Sequence, residues 1–207
     1  GFGRTISEAL IMKKKLLAFN YGGVKDQLDK LDDIYKVNPH KYDQIDIKLK
    51  NNEEFKIGES VFKVIDTPGH TIGHICFYFK DQNFLFCGDT IFSLGCGKLF
   101  EGSYEQMTES ILKIRSLPDC TKIFCGHEYT ESNAKFAEFL DPGDVLLKKK
   151  ILNIKKDRLE SKPTIPATLE EEKKLNPFMK FDNQKYLDSI KIENISNSDN
   201  FKRIRIM

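Results

Sequence analysis

The sequence predicts an α/β fold in which a layered, strand-rich unit is followed by a helical unit. Short β-prone runs separated by Gly, Asp and Asn turns dominate as far as about residue 128, and runs with helical spacing follow them. The chain has 207 residues, of which 40% are hydrophobic, so it can bury a core. We therefore expect one main domain over residues 1–129 and a smaller helical domain over residues 130–207.

The strand-rich part contains six runs with the composition of strands. They cover residues 16–20, 45–49, 61–66, 75–79, 84–87 and 122–125. Several of these runs are apolar at consecutive positions, which favours strands that are covered on both faces. One helix is expected among them, because Ser103 and Gln106 form a capping-box pattern ahead of apolar residues at helical spacing that end at Pro118.

The region after residue 127 is predicted to be helical. Thr130 is a candidate N-cap for a first helix that stops near residues 141–143, and Asp144 is a candidate N-cap for the next. Thr168 and Glu171 form a second capping-box pattern ahead of a short helix. The Asn- and Ser-rich residues 194–200 are predicted to be a surface loop.

Charge and composition exclude several classes of partner. The 33 basic and 31 acidic residues leave a net charge of +2, which gives little reason to expect nucleic acid or a membrane as a partner. No apolar stretch approaches the roughly 20 residues that span a bilayer. The five cysteines form no CxxC pair and cannot all be paired internally, which favours a reducing compartment. Cys76, Cys87 and Cys125 lie in apolar runs and are predicted to be buried.

Three short motifs each follow an apolar run: TPGHTIGH at residues 67–74, GDT at 88–90 and GHEY at 126–129. A strand that ends in a Gly-flanked turn can project a His or Asp side chain from a rigid sheet edge. Two imidazoles and a carboxylate suit a metal such as zinc, and the two oxygens of a carboxylate can bridge two ions. A single His after Gly is more often an ordinary turn residue, so the prediction depends on all three motifs together.

The order of these motifs resembles that of the metallo-β-lactamase superfamily. GCGKLFEG at residues 95–102, PTIP at 163–166 and NPFM at 176–179 narrow the resemblance to glyoxalase II, the hydroxyacylglutathione hydrolases, from about residue 54 to the end. Persulfide dioxygenases share the early motifs, whereas the helical tail is similar to glyoxalase II. The resemblance implies a metallo-β-lactamase-like αββα sandwich, partial because its N-terminal part is missing, with an appended C-terminal helical domain.

The resemblance also implies a role for each motif residue. His70 would bind a first metal ion, His127 a second, and the catalytic Asp89 would bridge both, while His74 would hold the turn that aims His70. The residues that match glutathione-contacting positions are Lys98, Tyr129 and Arg205. Phe100 occupies a substrate-binding position that is tyrosine in some members, so one hydroxyl contact would be missing.

The implied reaction is the hydrolysis of the thioester S-D-lactoylglutathione to D-lactate and glutathione, in methylglyoxal detoxification. Its cofactors would be two divalent ions, with zinc expected and iron or manganese as alternatives. The expected partner is this small-molecule substrate alone. We expect a cytoplasmic monomer, with an organellar form left open.

One feature of the family is absent from the sequence: the motif His-x-His-x-Asp-His, which supplies the remaining ligands of both ions. The other histidine, His40, is predicted to be a surface residue. Each ion would then keep one histidine and the shared Asp89, whereas a catalytic zinc has about three protein ligands. The alternatives are a glyoxalase II whose upstream sequence is missing, a non-catalytic member that binds glutathione conjugates, and a persulfide dioxygenase-like enzyme with one iron.

Overall fold

The computed structural model of the chain describes residues 49–207; the strand expected at 16–20, His40, and all but the last residue of the strand expected at 45–49 lie outside this part. Its strands are β1 Glu54–Ile57, β2 Ser60–Asp66, β3 Ile75–Phe79, β4 Phe84–Gly88, β5 Ile91–Phe92, β6 Gly95–Cys96, β7 Lys122–Cys125 and β8 Ala167–Thr168. Its helices are α1 Tyr104–Arg115, α2 Thr130–Leu140, α3 Val145–Leu159, α4 Leu169–Leu175, the 3₁₀ turn Pro177–Met179, α5 Gln184–Ser189 and α6 Asn197–Ile206.

The main sheet is mixed and has the order β1-β2-β3-β4-β7-β8. The β4–β7 pair is parallel and the other pairs are antiparallel. Because β4 and β7 are connected by a crossover that contains α1, they can run in the same direction. Two antiparallel pairings, β2 with β3 and β3 with β4, give β2 this direction as well. The carboxyl ends of β2, β4 and β7 therefore meet at one edge of the sheet.

The strand predictions inside the described part are confirmed. The predicted bounds of β3 and β7 agree with the structure, and β2 and β4 are each one residue longer than expected. The sequence missed β1, β5, β6 and β8, which have two to four residues each and are too short to show a period. The expectation of two covered faces fails for β4, since Leu85 is fully buried whereas Phe86 on the opposite face is exposed.

Three of the four predicted caps are confirmed. Ser103 forms a capping box with Gln106, Asp144 accepts hydrogen bonds from the first turn of α3, and the Thr168 hydroxyl accepts from Glu171 N–H. The prediction for Thr130 is wrong. Thr130 is the first residue of α2, and its hydroxyl accepts a hydrogen bond from the Thr164 hydroxyl at 2.6 Å instead.

The predicted loop at residues 194–200 is also wrong in part. The Ser196 side chain caps α6, which starts at Asn197, by accepting from Asp199 N–H. Asn200 is fully buried and donates its side-chain amide to the Phe181 carbonyl. Asn and Ser favour helix starts as well as loops, so their abundance did not distinguish the two.

The core is continuous between the sheet and the C-terminal helices. One cluster of buried side chains joins a face of the sheet, α1, and the segments after residue 168; we call it the main core, and its fully buried members include Cys76, Leu85, Ile111, Leu169 and Phe201. A second cluster joins α2 and α3 to Leu94 and Leu175. Helices from the end of the chain thus share one core with the sheet.

Candidate metal centre

The side chains of His70, Asp89 and His127 converge at the common carboxyl edge of β2, β4 and β7. His70 Nε2 lies 3.5 Å and His127 Nε2 lies 3.4 Å from the same oxygen, Asp89 Oδ2. The common direction of β2, β4 and β7 explains this convergence, because each of the three residues lies within a few positions of the end of its strand. Two histidines that are far apart in sequence thus flank one carboxylate.

Glycine backbones make room for this approach. Gly88 has a φ of +49°, a left-handed conformation that side chains rarely adopt, and it directs the next residue, Asp89, away from the line of β4. A Cβ atom at Gly126 would lie 2.4 Å from Asp89 Oδ1, which is too close for any side chain. The glycines before Asp89 and His127 are therefore part of the geometry.

A backbone carbonyl orients the His70 ring. His70 Nδ1 lies 2.6 Å from the Lys98 carbonyl oxygen, which can only accept a hydrogen bond, so Nδ1 carries the proton. Nε2 is then left with a lone pair that faces Asp89. Histidines that bind metals usually donate their second ring N–H to such an oxygen.

His74 supports the Asp89 backbone. The Asp89 N–H donates to His74 Nε2 at 3.2 Å, and His74 Nδ1 lies 2.9 Å from the Thr90 hydroxyl. Burial, with a smaller contribution from the neighbouring His70 and against an opposing effect of Asp89, lowers the pKa of His74 to about 4. His74 is therefore neutral near pH 7, accepting through Nε2 and donating through Nδ1. It also contacts the Thr67 hydroxyl, so it ties the turn of residues 67–74 to Asp89.

The residues fit divalent ions in three respects. Among residues 49–207, the buried Asp89 Oδ1 has no hydrogen-bond partner, which leaves a ligand oxygen free. Tetrahedral bonds of about 2.0–2.1 Å place neighbouring ligand atoms roughly 3.4 Å apart, and the two His–Asp separations are 3.5 and 3.4 Å. Imidazole and carboxylate also suit zinc, iron and manganese. However, residues 49–207 contain no group of three His, Cys, Asp or Glu side chains placed to hold one ion.

Three of the four expected substrate residues border this centre. Tyr129 is 47% exposed, and its ring stacks on His127 with centroids 4.8 Å apart. Phe100 is 67% exposed and meets the His70 ring at 5.0 Å. The Lys98 ammonium lies 5.7 Å from the Phe100 ring centroid. One aromatic ring, with a cation beside it, therefore lies against His70, and a second aromatic ring stacks on His127.

The fourth residue, Arg205, comes from the last turn of α6. Its Nη1 lies 3.0 Å from Cys96 Sγ, and its guanidinium lies 5.7 Å from the Phe178 ring centroid. Cys96 is followed by Gly97, where an added Cβ would lie 3.2 Å from His70 Nδ1. Arg205 is thus attached to the loop beside the centre.

The sequence missed Phe92 as a residue of this site. Its ring lies 6.1 Å from that of His127 and 5.2 Å from that of Tyr129, so it packs behind both. The available signal was its position two residues after the GDT motif. The sequence pattern predicts no strand at this position, because β5 has only two residues and shows no period.

Two further features of the described residues are the length of the helices and the state of the cysteines. Within residues 49–207, no helix has both the length and the apolar composition to cross a bilayer. All five cysteines are free, and Cys76 and Cys87 are fully buried as predicted, whereas Cys125 is only partly buried. Burial raises the pKa of the Cys76 thiol to about 11, so it stays protonated near neutral pH.

Comparisons with known proteins agree with the motif order. The family described as the metallo-beta-lactamase superfamily matches residues 11–127, and the family described as the hydroxyacylglutathione hydrolase C-terminus matches residues 128–207. A hydroxyacylglutathione hydrolase of Bartonella henselae is 42% identical over 187 residues, which are 87% of this chain and 74% of that protein. One of Methylococcus capsulatus is 48% identical over 141 residues, 68% of this chain. The chain spans about half, 55%, of the length of that second relative.

Two solved structures match part of the chain. That of ETHE1 from Myxococcus xanthus gives a TM-score of 0.46 at 21% identity, over 75% of this chain and 56% of that one. A metallo-beta-lactamase from Staphylococcus aureus gives 0.46 at 24% identity, over 77% and 42%.

Proposed function

Since this chain belongs to the hydroxyacylglutathione hydrolase (glyoxalase II) family of the metallo-β-lactamase superfamily, we propose that it hydrolyses the thioester of S-D-lactoylglutathione to D-lactate and glutathione. The observation that carries the proposal is the approach of two imidazole Nε2 atoms to one carboxylate oxygen, at 3.5 and 3.4 Å. Relatives with this name are 38–49% identical to the chain.

In this proposal His70 and His127 would each hold one divalent ion, and Asp89 would hold both. Ions held in this way supply hydroxide at neutral pH and positive charge for the developing oxyanion. Zinc suits the donor set, and iron or manganese would also be accepted. Lys98 contributes through its carbonyl, which keeps the proton on His70 Nδ1 and leaves Nε2 for the ion.

The substrate residues recognise the glutathione part. Lys98 and Arg205 offer positive charge to its carboxylates, and Tyr129 offers a hydroxyl and a ring face beside His127. Phe100 keeps the ring contact with His70 but has no hydroxyl to donate. Binding at these remote groups would position the thioester carbonyl at the centre. The free cysteines support a cytoplasmic location, and we propose a monomer that acts on this small molecule alone.

A second candidate is a member of the family that binds glutathione conjugates without cleaving them. One specific observation favours it: within residues 49–207 each ion would find one histidine and the shared Asp89, fewer than the three protein ligands of a catalytic zinc. Metal content and turnover distinguish the two candidates.

The test compares Asp89→Asn with a control, Asp81→Asn, at an exposed turn between β3 and β4. Zinc-loaded protein should release thiol from S-D-lactoylglutathione, and Asp89→Asn should lose both bound zinc and turnover because one carboxylate serves both ions. The control should keep both. Zinc is counted by elemental analysis and thiol by a colour reagent. Binding of the thioester without thiol release would select the second candidate, and neither binding nor release would reject both.

A further inference from the structure

A carboxylate in the C-terminal region is buried without contacting the metal centre. Glu172 lies on α4 and is 0% exposed. Its Oε2 accepts hydrogen bonds from the Leu94 N–H and from Asn176 Nδ2, both at 2.8 Å, and its Oε1 accepts from the Ser93 hydroxyl at 3.1 Å. Two of its three donors thus come from the turn between β5 and β6, about 80 residues earlier in the chain.

The turn that Glu172 holds has a strained backbone. Leu94 has a φ of +58°, the left-handed region, although it has a branched side chain that is fully buried. Residues with such side chains rarely adopt this conformation, and it persists only where the surroundings enforce it. The hydrogen bond from the Leu94 N–H to Glu172 is one such restraint.

Asn176 supplies a second restraint on the same turn. Its Nδ2 donates to the Phe92 carbonyl at 3.2 Å and to the Gly95 carbonyl at 3.0 Å, in addition to Glu172. Asn176 is also 0% exposed. Two buried polar side chains from the end of α4 therefore satisfy backbone groups on both sides of Leu94.

The residues of this turn form a wall of the metal centre. Phe92 meets the rings of His127 and Tyr129 at 6.1 and 5.2 Å. Cys96 contacts Arg205, and the next residue, Gly97, donates its N–H to the Thr90 carbonyl. A shift of the turn would move the packing surface of His127 directly.

Keeping a carboxylate at this position is costly. Burial raises the pKa of the Glu172 carboxyl to about 7, although the hydrogen bonds from Leu94, Asn176 and Ser93 lower it. An apolar side chain would avoid this cost of burying a charge, but it would leave the Leu94 N–H without its acceptor. A residue that lowers stability in this way is expected where it maintains the geometry of a functional site.

We propose that Glu172, together with Asn176, is a positioning residue that fixes the β5–β6 turn so that Phe92 orients the His127 ring and Tyr129. The consequence for catalysis rests on the proposed function, whereas the effect on His127 does not. Glu172 touches neither substrate nor metal in this proposal; it acts through the turn.

Two substitutions of similar length separate hydrogen bonding from packing. In Glu172→Gln, the amide oxygen can take the Oε2 position and accept from Leu94 and Asn176, while the NH₂ group donates to the Ser93 hydroxyl, which can also accept. In Glu172→Met, all acceptors are lost and the Leu94 N–H has no partner. Glu170→Gln, which removes an exposed carboxylate of the same helix, is the control.

The first readout is the NMR spectrum of protein labelled at its histidine rings. Glu172→Met should move the His127 ring signals, whereas Glu172→Gln and Glu170→Gln should leave them in place. The second readout is the affinity for Zn²⁺, measured by competition with a chelator. This affinity should fall about tenfold in Glu172→Met, as it does when a group that orients a metal ligand is lost. It should stay unchanged in Glu172→Gln. Unchanged His127 signals in Glu172→Met, or an equal effect of Gln and Met, would overturn the proposal.

The outcomes also separate this proposal from the proposed function. The histidine spectrum requires no turnover, so a protein that releases no thiol would still report on the turn. If circular dichroism finds Glu172→Met unfolded, Ser93→Ala becomes the deciding variant, because it removes one donor and keeps the carboxylate. A displacement of the His127 signals in Ser93→Ala would support the proposal, and an unchanged spectrum would reject it.

Discussion

Arg205 illustrates how a single side chain can be oriented before a substrate arrives. Its guanidinium is held by Cys96 Sγ at 3.0 Å and packs over the Phe178 ring at 5.7 Å. A thiol is a weak acceptor, so most of the hydrogen-bonding capacity of the guanidinium remains available. Such an arrangement favours the capture of a carboxylate, because little side-chain freedom is left to lose on binding.

Arg205→Ala tests this role in ground-state binding. We expect KM for S-D-lactoylglutathione to rise roughly tenfold with kcat nearly unchanged, since the proposed charge-assisted contact is made to the glutathione part and not to the thioester carbonyl. Arg203→Ala, in the same turn of α6, is the control for lost helix charge and should leave KM in place. Steady-state kinetics provide the measurement. A fall in kcat at constant KM would mean that Arg205 acts on the reacting atoms.

The residues of the site were predictable to different degrees. His70, Asp89 and His127 were found from the sequence because each follows a strand-like run and a glycine. Phe92 and Glu172 were not, since an apolar residue in a two-residue strand and a glutamate in a helix carry no local signal. Their roles depend on contacts between segments about 35 residues apart for Phe92 and about 80 residues apart for Glu172, which no period or cap reveals.

At the scale of elements, the parallel pairing of β4 and β7 sets the spacing of the centre. The register places Gly88 opposite Cys125, so Asp89 and the Gly126–His127 pair leave the sheet side by side. Gly126 N–H donates to the Gly88 carbonyl at 2.9 Å and continues the pairing beyond the strands. The close contact between Gly126 and the Asp89 carboxylate is therefore built into the register.

Gly126→Ala tests whether that contact is required. An added Cβ would lie 2.4 Å from Asp89 Oδ1, so the carboxylate must move, and we expect zinc affinity to fall about tenfold or more. Gly143→Ala is a matched control, because its Cβ would come no closer than 3.7 Å to Asp141 Oδ1. Chelator competition measures the affinity, and circular dichroism confirms that both variants are folded. Unchanged zinc affinity in Gly126→Ala would contradict the assignment of Asp89.

Sequence patterns predicted elements well wherever a cap or an apolar period was complete. Ser103, Asp144 and Thr168 each begin a helix, because a side-chain oxygen satisfies a free backbone N–H at that point. Thr130 failed as a cap because a tertiary partner, Thr164, engages its hydroxyl. A tertiary partner also explains Asn200, which lies in the predicted loop at residues 194–200. Its side-chain amide is buried and donates to the Phe181 carbonyl.

For the whole molecule, the main question is whether the parts before and after residue 129 are independent. The predicted division at this residue stays a prediction. The main core, however, contains side chains from both sides, among them Ile111 of α1 and Phe201 of α6. Arg115 of α1 also donates to the Met179 carbonyl and forms an ion pair with Asp182. Shared packing of this kind favours unfolding as one unit.

Phe201→Ala tests this cooperativity. Phe201 is 0% exposed and packs against the rings of Tyr104, Phe178 and Phe181. Truncation of such a side chain lowers the free energy of unfolding by about 3–5 kcal/mol, which corresponds to a fall in Tm of roughly 10 °C for a chain of this size. We expect far-UV circular dichroism and tyrosine fluorescence to give one coincident transition at the lower temperature.

The control for this experiment is Phe139→Ala, which removes a ring that is 66% exposed on α2. Its Tm should stay within about 2 °C of the unsubstituted protein, because exposed side chains away from special contacts contribute little. If Phe201→Ala instead produced two transitions, of which only one moved, the C-terminal helices would unfold separately. The β5–β6 turn would then lose Glu172 and Asn176 before the sheet melted, and zinc affinity should fall at that first transition.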